Sequence, residues 1–173
     1  MAEPMLVKPG NIAYKTVGDI TEVANVVIAH QTNCQNAIGM GVAGAICKKW
    51  PVVKTKFHQF CTPKQPEELF GLVYPIEVDD DVIVCNIFAE LHYGDSRKTG
   101  KKYTDEDVLI DGIKRICERY PDRTIAIPEK IGCGLAGGDW ETVEARLSYL
   151  PINIISFEKG RKPDLVERDQ FNK

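Results

Sequence analysis

No stretch of this 173-residue chain approaches the ~20 consecutive apolar residues that a bilayer-spanning helix needs. No membrane-crossing helix is therefore expected in it, and no membrane partner is expected. The opening Met1-Ala2-Glu3-Pro4 lacks the basic and apolar blocks of an export signal, so a cytoplasmic location is expected. Surplus positive charge is missing too. Lys and Arg number 22 against 25 Asp and Glu, for a formal net charge of -3. Proteins that grip a phosphate backbone need clustered cations, so no direct nucleic-acid binding is expected. The one central basic cluster, Arg97-Lys98-Thr99-Gly100-Lys101-Lys102, sits in a polar stretch and reads as a solvated loop. Among the 6 cysteines (Cys34, Cys47, Cys61, Cys85, Cys117 and Cys133) there is no CxxC pair. Zinc spacing is thus absent, and the thiols are expected to be reduced. His58 and His92 have no partners at metal-ligand spacing, so no metal is expected; no cofactor is expected either.

What is present is the composition of one globular domain, with 43% hydrophobic and 27% charged residues. A single domain over 1–173 is expected, with its core at about 11–158 and a polar, frayed tail over 159–173. Strands and helices alternate along it. Asn25-Val26-Val27-Ile28-Ala29-His30 is a β-branched run with no helical period and predicts a buried strand. A Gly-rich loop follows, then a helix from about Val42 to Trp50. Pro51 ends that helix or opens the next, which carries Val53, Phe57 and Phe60 on one face. Leu72–Ile76 and Val82–Ile87 read as strands joined by a turn at Asp79-Asp80-Asp81. After a polar loop, Thr104 offers an N-cap to a helix striped by Val108, Ile110, Ile113, Ile116 and Cys117. Thr124–Pro128 is a further strand. A second Gly-rich loop, a helix over about Glu141 to Leu147 and a strand over Asn153–Phe157 complete the series. Alternation of this kind implies a sheet with helices on both faces. Ligands bind such sheets at the carboxyl ends of the strands, where both Gly-rich loops begin.

Gly39-Met40-Gly41-Val42-Ala43-Gly44 matches the dinucleotide fingerprint letter for letter. A true fingerprint follows its strand tightly and precedes a second strand, whereas here Gln31 to Ile38 intervene and the next element is another helix. What remains is backbone that a ligand can approach closely, and amides at a helix N-terminus that favour anions. The second loop, Ile131-Gly132-Cys133-Gly134-Leu135-Ala136-Gly137-Gly138-Asp139-Trp140, holds more glycines than a single tight turn uses. A concave nest of amides for a diphosphate does use several. Asp139 is either an N-cap for the following helix or a carboxylate beside that nest, and Trp140 is expected in the core. His30 is either a satisfied strand-end residue or a catalyst that titrates near neutrality.

Taken together, these loops resemble those of the macro domain family, from Tyr14 to Phe157. Val17-Gly18-Asp19-Ile20-Thr21 resembles the first family motif, whose aspartate meets the adenine amino group. His30-Gln31-Thr32-Asn33-Cys34-Gln35 through Gly39-Met40-Gly41-Val42-Ala43 resembles the distal-ribose loop, with Asn33 as its asparagine. Ile131 to Trp140 resembles the phosphate loop, and Phe157 fits the aromatic residue that packs on adenine. The resemblance implies a three-layer α/β/α fold with a mixed central sheet. It implies ADP-ribose contacts at Asp19, Ile20, Asn33, Gly39, Gly41, Val42, Ile131, Gly132, Cys133, Gly134, Leu135, Ala136, Gly137 and Phe157.

The chain is most similar to the branch that processes ADP-ribose 1''-phosphate, in which His30 matches a residue implicated in phosphatase activity. The resemblance therefore implies a phosphatase with His30 as nucleophile or general acid and Asp139 orienting a water or the histidine. A branch that removes ADP-ribose from proteins or DNA uses a lysine where Glu90 stands here, and one of its members has an aspartate at the position of Ala136. The alternatives are a non-catalytic reader of ADP-ribose or of ADP-ribosylated macromolecules, and a de-ADP-ribosylating hydrolase. A monomer is expected.

Overall fold

The structure, a computed structural model, describes residues 12–79 and 81–157 together with the backbone of Pro4–Met5 and Val166–Glu167. The strands are β1 (Pro4–Met5), β2 (Tyr14–Val17), β3 (Val26–Asn33), β4 (Val73–Asp79), β5 (Val82–Glu90), β6 (Thr124–Pro128), β7 (Ile152–Ser156) and β8 (Val166–Glu167). The helices are α1 (Gly41–Lys49), α2 (Pro51–Cys61), α3 (Pro66–Leu69), α4 (Ser96–Thr99), α5 (Glu106–Arg119) and α6 (Trp140–Leu147), with a 3-10 turn at Ile20–Glu22. A six-stranded sheet runs in the order β2-β7-β6-β3-β5-β4. Its pairs are parallel except β4 with β5, so the sheet is mixed. β1 and β8 pair separately. The expectation for the polar tail otherwise lies outside the described residues, as does Asp80 of the expected turn.

Alternation along the buried central strands sorts their side chains between two helical layers. Val27, Ala29, Cys85 and Ile87 pack with Leu109, Ile113 and Ile116 of α5 and with Val143 and Leu147 of α6. Val26, Ile28 and Val84 pack with Ile46 of α1, Trp50 and Val53 of α2 on the opposite face. The fold is the expected α/β/α sandwich.

Several local expectations change. β3 continues through Gln31, Thr32 and Asn33, because their backbones pair with Ile87, Phe88 and Glu90 of β5. His30 is therefore inside a strand rather than at its end. Pro51 opens α2 at its first turn, with Trp50 joining the two helices and donating from Nε1 to Asp79 Oδ2 at 2.9 Å. Asp105, not Thr104, caps α5, accepting from the Val108 amide at 3.0 Å. Thr104 is buried, bridged to Glu90, and its hydroxyl donates to the Gly132 carbonyl at 2.5 Å. Leu109 joins the buried stripe of α5, whereas Val108 and Cys117 lie at its margin. Phe60 packs against the same cluster as Phe57, as expected, but is only partly buried and stacks on Tyr74 with ring centroids 4.0 Å apart.

Candidate functional site

Two adjoining cavities open at the carboxyl ends of the parallel strands. The larger, about 680 Å³, is lined by Gly18, Asp19, Ile20, Gly41, Val42, Ala45, Pro128, Glu129, Lys130, Ile155, Ser156 and Phe157. The smaller, about 230 Å³, is lined by His30, Gln31, Met40, Gly41, Val42, Ala43, Glu90, Pro128, Glu129, Lys130, Ile131, Gly132, Gly134, Leu135 and Ala136. Gly41, Val42 and Pro128 to Lys130 line both, so the two run into one cleft.

At the outer end Asp19 is half-buried at the start of the 3-10 turn. Its Oδ1 accepts from the Thr21 amide at 2.9 Å and from the Thr21 hydroxyl at 2.7 Å. That is the capping role open to an aspartate here, and it leaves Oδ2 without a partner among the described residues. Phe157 follows the end of β7 and is 70% exposed, an aromatic face with no core to fill.

At the inner end two backbone segments meet. α1 begins at Gly41 with Met40 as a cap that makes no side-chain bond. The first amides of a helix have no internal acceptor, so Gly41, Val42 and Ala43 present free N–H groups. In the second loop Gly137 donates to the Gly134 carbonyl and Gly138 to that of Gly132. The intervening amides of Gly134, Leu135 and Ala136 donate to nothing among the described residues. Both sets line the smaller cavity, giving it the positive potential of a helix N-terminus combined with a nest. Gly132 requires its glycine: φ is +70°, and a Cβ there would come within 2.7 Å of Gln31 Oε1. Gly44 is also required, since a Cβ would lie 2.6 Å from the Gly39 carbonyl oxygen.

The side chains at this end form two separate networks. His30 is buried, and its Nε2 lies 2.7 Å from Asn86 Oδ1. Asn86 donates from Nδ2 to the Tyr74 carbonyl at 3.0 Å, so its oxygen faces the imidazole. The proton therefore sits on Nε2, and Nδ1 is an unprotonated nitrogen, buried and without a partner among the described residues. Burial lowers the His30 pKa to about 4, against a smaller opposing effect of the Asn86 bond. The ring is neutral at neutral pH. In the second network Gln31 Nε2 donates to Thr104 Oγ1 at 2.8 Å and to Glu90 Oε2 at 3.3 Å. Glu90 has no cationic partner among the described ion pairs, and burial raises its pKa.

Of the residues singled out in the sequence, Asp19, Ile20, His30, Gly41, Val42, Ile131, Gly132, Gly134, Leu135, Ala136 and Phe157 line the cleft. Asn33, Gly39, Cys133, Gly137 and Asp139 do not. The Asn33 amide is consumed by its own loop, donating to the Ala37 carbonyl at 2.8 Å and accepting from the Gln35 amide at 2.9 Å. Gly39 faces Gly44, and Gly137 packs on Ser96. The Cys133 thiol turns to the Ile131 carbonyl at 3.2 Å, and burial holds its pKa up at about 11. Asp139 stands at the N-cap position of α6 but caps no amide; its exposed carboxylate accepts from the Thr142 hydroxyl at 3.0 Å. Trp140 packs against the core as expected.

The sequence reading missed Gln31, Glu129 and Lys130 as lining residues, and Asn86 as the partner of His30. Lys130 adopts φ +62°, unusual for a residue with a Cβ, and it turns the chain from β6 into the second glycine loop. A strand followed by Glu-Lys before a glycine loop is the only sequence signal for it.

An amide-lined cleft lies at the strand ends of this α/β/α sandwich, and proteins of known structure share the sandwich. No family model matches the sequence. A DNA ADP-ribosyl glycohydrolase of Mycobacterium tuberculosis is 27% identical over 133 residues, 75% of this chain. The chain spans 36% of that relative's length. An ADP-ribose 1''-phosphate phosphatase of Lodderomyces elongisporus is 25% identical over 141 residues, 75% of this chain and 86% of the relative. Among solved structures, the macrodomain of Mycobacterium tuberculosis DarG superposes with a TM-score of 0.66 at 20% identity, over 84% of this chain and 98% of that one. Thermosipho africanus DarTG in complex with ADP-ribose superposes with a TM-score of 0.65 at 21% identity, over 91% of this chain and 45% of that one. The chain shares the three-layer α/β/α fold of these macrodomains.

Proposed function

We propose that the cleft binds ADP-ribose and that its inner end removes the phosphate from ADP-ribose 1''-phosphate. The observation that carries this reading is the pair of uncommitted amide rows, Gly41 to Ala43 and Gly134 to Ala136, lining one small cavity that continues into a larger one. A nucleoside diphosphate sugar suits that shape. Its diphosphate would take the amides, its adenine would lie between Asp19 Oδ2 and Phe157, and its distal ribose would point toward His30 and Glu90. Amides held in place also stabilise charge developing on a transferring phosphoryl group. The general-acid role expected of His30 does not suit a neutral ring whose one proton, on Nε2, is donated to Asn86 Oδ1. Its unprotonated Nδ1 fits a base or a nucleophile instead. Asp139 takes no part, being outside the cleft, and no cofactor enters the scheme.

A second reading, removal of ADP-ribose from a macromolecule, is supported by the name of the mycobacterial relative. One experiment separates the two. The protein is incubated with ADP-ribose 1''-phosphate and, separately, with ADP-ribosylated DNA, and release of phosphate and of ADP-ribose is assayed. Phosphate release from the first supports the phosphatase, and ADP-ribose release from the second supports the hydrolase. Binding of ADP-ribose without either product makes the domain a reader.

A further inference from the structure

Glu90 is out of place in a cavity built for anions. It is the last residue of β5, and the β3–β5 register slips between Thr32 and Asn33, so that Asn33 pairs with Glu90 and Ala89 is the extra residue. Bulges of this kind re-aim a side chain at the end of a ladder. Ala89 packs on the α5 face, and strict alternation would send Glu90 to the other. Instead its carboxylate meets Gln31, which by alternation shares the face that Val27 and Ala29 of β3 turn to α5. Gln31 is itself anchored on Thr104, and Thr104 on the Gly132 carbonyl of the phosphate loop. The carboxylate is thus tied to the loop that forms the cavity. The other charged groups lining the cavity are Glu129 and Lys130, with His30 neutral on the remaining side.

A half-buried carboxylate without an ion pair would repel a phosphate if ionised. It is compatible with one if it carries a proton. We propose that Glu90 is a catalytic residue of this site, the general acid that protonates the oxygen leaving the phosphoryl group. This rests on the phosphatase reading above. A water oxygen forms the new bond to phosphorus, and the bond from phosphorus to O1'' breaks with its electron pair on O1''. That oxygen takes the proton from Glu90. The proton shed by the water passes through the phosphate product back to the carboxylate, leaving ADP-ribose and inorganic phosphate.

The surroundings of Glu90 fit this role. Burial raises its pKa, which keeps the protonated form available to the leaving oxygen.

The test is the pH profile of phosphate release from ADP-ribose 1''-phosphate by the wild type and by Glu90→Gln, with ADP-ribose affinity measured in both. Glutamine can still accept the Gln31 bond, so the fold and the affinity should be kept. Loss of an acid group typically lowers turnover about 10²–10⁴-fold. The wild-type rate should fall as pH rises through the raised Glu90 value, and that limb should vanish in the variant while KM changes less than about threefold. An active wild type matched by an equally active variant overturns the role of Glu90 alone. A wild type that binds ADP-ribose yet releases no phosphate overturns the phosphatase reading and the acid role with it.

Discussion

His30 makes a sharp prediction about acid stability. Its pKa moves from 6.5 in an open chain to about 4 in the folded protein, because burial penalises the charged ring. Below 6.5 the unfolded chain takes up a proton that the native protein refuses until about 4. The unfolded state then binds more protons, so native stability falls as pH falls across that window. A tenfold change in proton affinity is worth about 1.4 kcal/mol, so the full effect is about 3 kcal/mol, a sizeable share of the ~5–15 kcal/mol that holds a domain together. Nothing is lost above 6.5, where both states carry a neutral ring. The assay is urea unfolding of the wild type and of His30→Gln at intervals from neutrality down to about pH 4. Glutamine cannot titrate and can still meet Asn86, while every other ionisable group is common to both proteins. The wild-type curve should fall below the variant's by about 3 kcal/mol more at the acid end than at neutrality. Parallel curves would refute the account of a buried, neutral His30.

Three further substitutions probe the cleft. Asp19→Ala removes both Thr21 bonds and the free Oδ2, so it should cost about 1 kcal/mol of stability as a lost cap and about 1–3 kcal/mol of ADP-ribose binding. Thermal unfolding and calorimetry read the two effects separately, and lost stability at unchanged affinity would leave Asp19 only a capping role. Gly132→Ala places a Cβ against Gln31 in a left-handed backbone, so it should destabilise by at least ~1 kcal/mol and weaken ADP-ribose binding at least about tenfold; calorimetry showing wild-type affinity would remove the second loop from the site. Asp139→Ala should leave phosphate release unchanged and shift stability by less than about 0.5 kcal/mol, since an exposed carboxylate that caps no amide is lost. A hundredfold rate loss in that variant would return Asp139 to the reaction.

The elements with strong periodicity could be read directly. The β-branched runs at 26–29, 82–87 and 124–127 are the central strands, and α5 carries its stripe. Both glycine loops sit where the strands end. What could not be read depends on pairing across the sheet. Gln31-Thr32-Asn33 looks like loop by composition, yet partners on β5 keep it in a strand, which buries His30. The Asn86 contact joins residues far apart in sequence and rests on register alone. Asn33 and Asp139 fit a motif by type, but whether a short polar side chain serves a ligand or its own backbone depends on the local turn. Glu90 reaches the cavity through a one-residue slip that no pattern of side chains announces.

The central claim is that both loops and the outer cavity engage one extended ligand. Calorimetric titration with ADP-ribose and with AMP tests it most directly. Each charge-assisted hydrogen bond contributes about 1.5–3 kcal/mol, so losing the second phosphate and the distal ribose should weaken binding at least about tenfold. Saturable binding of ADP-ribose with AMP at least that much weaker is the predicted result. Equal affinity for the two, or no binding of ADP-ribose, would contradict the account.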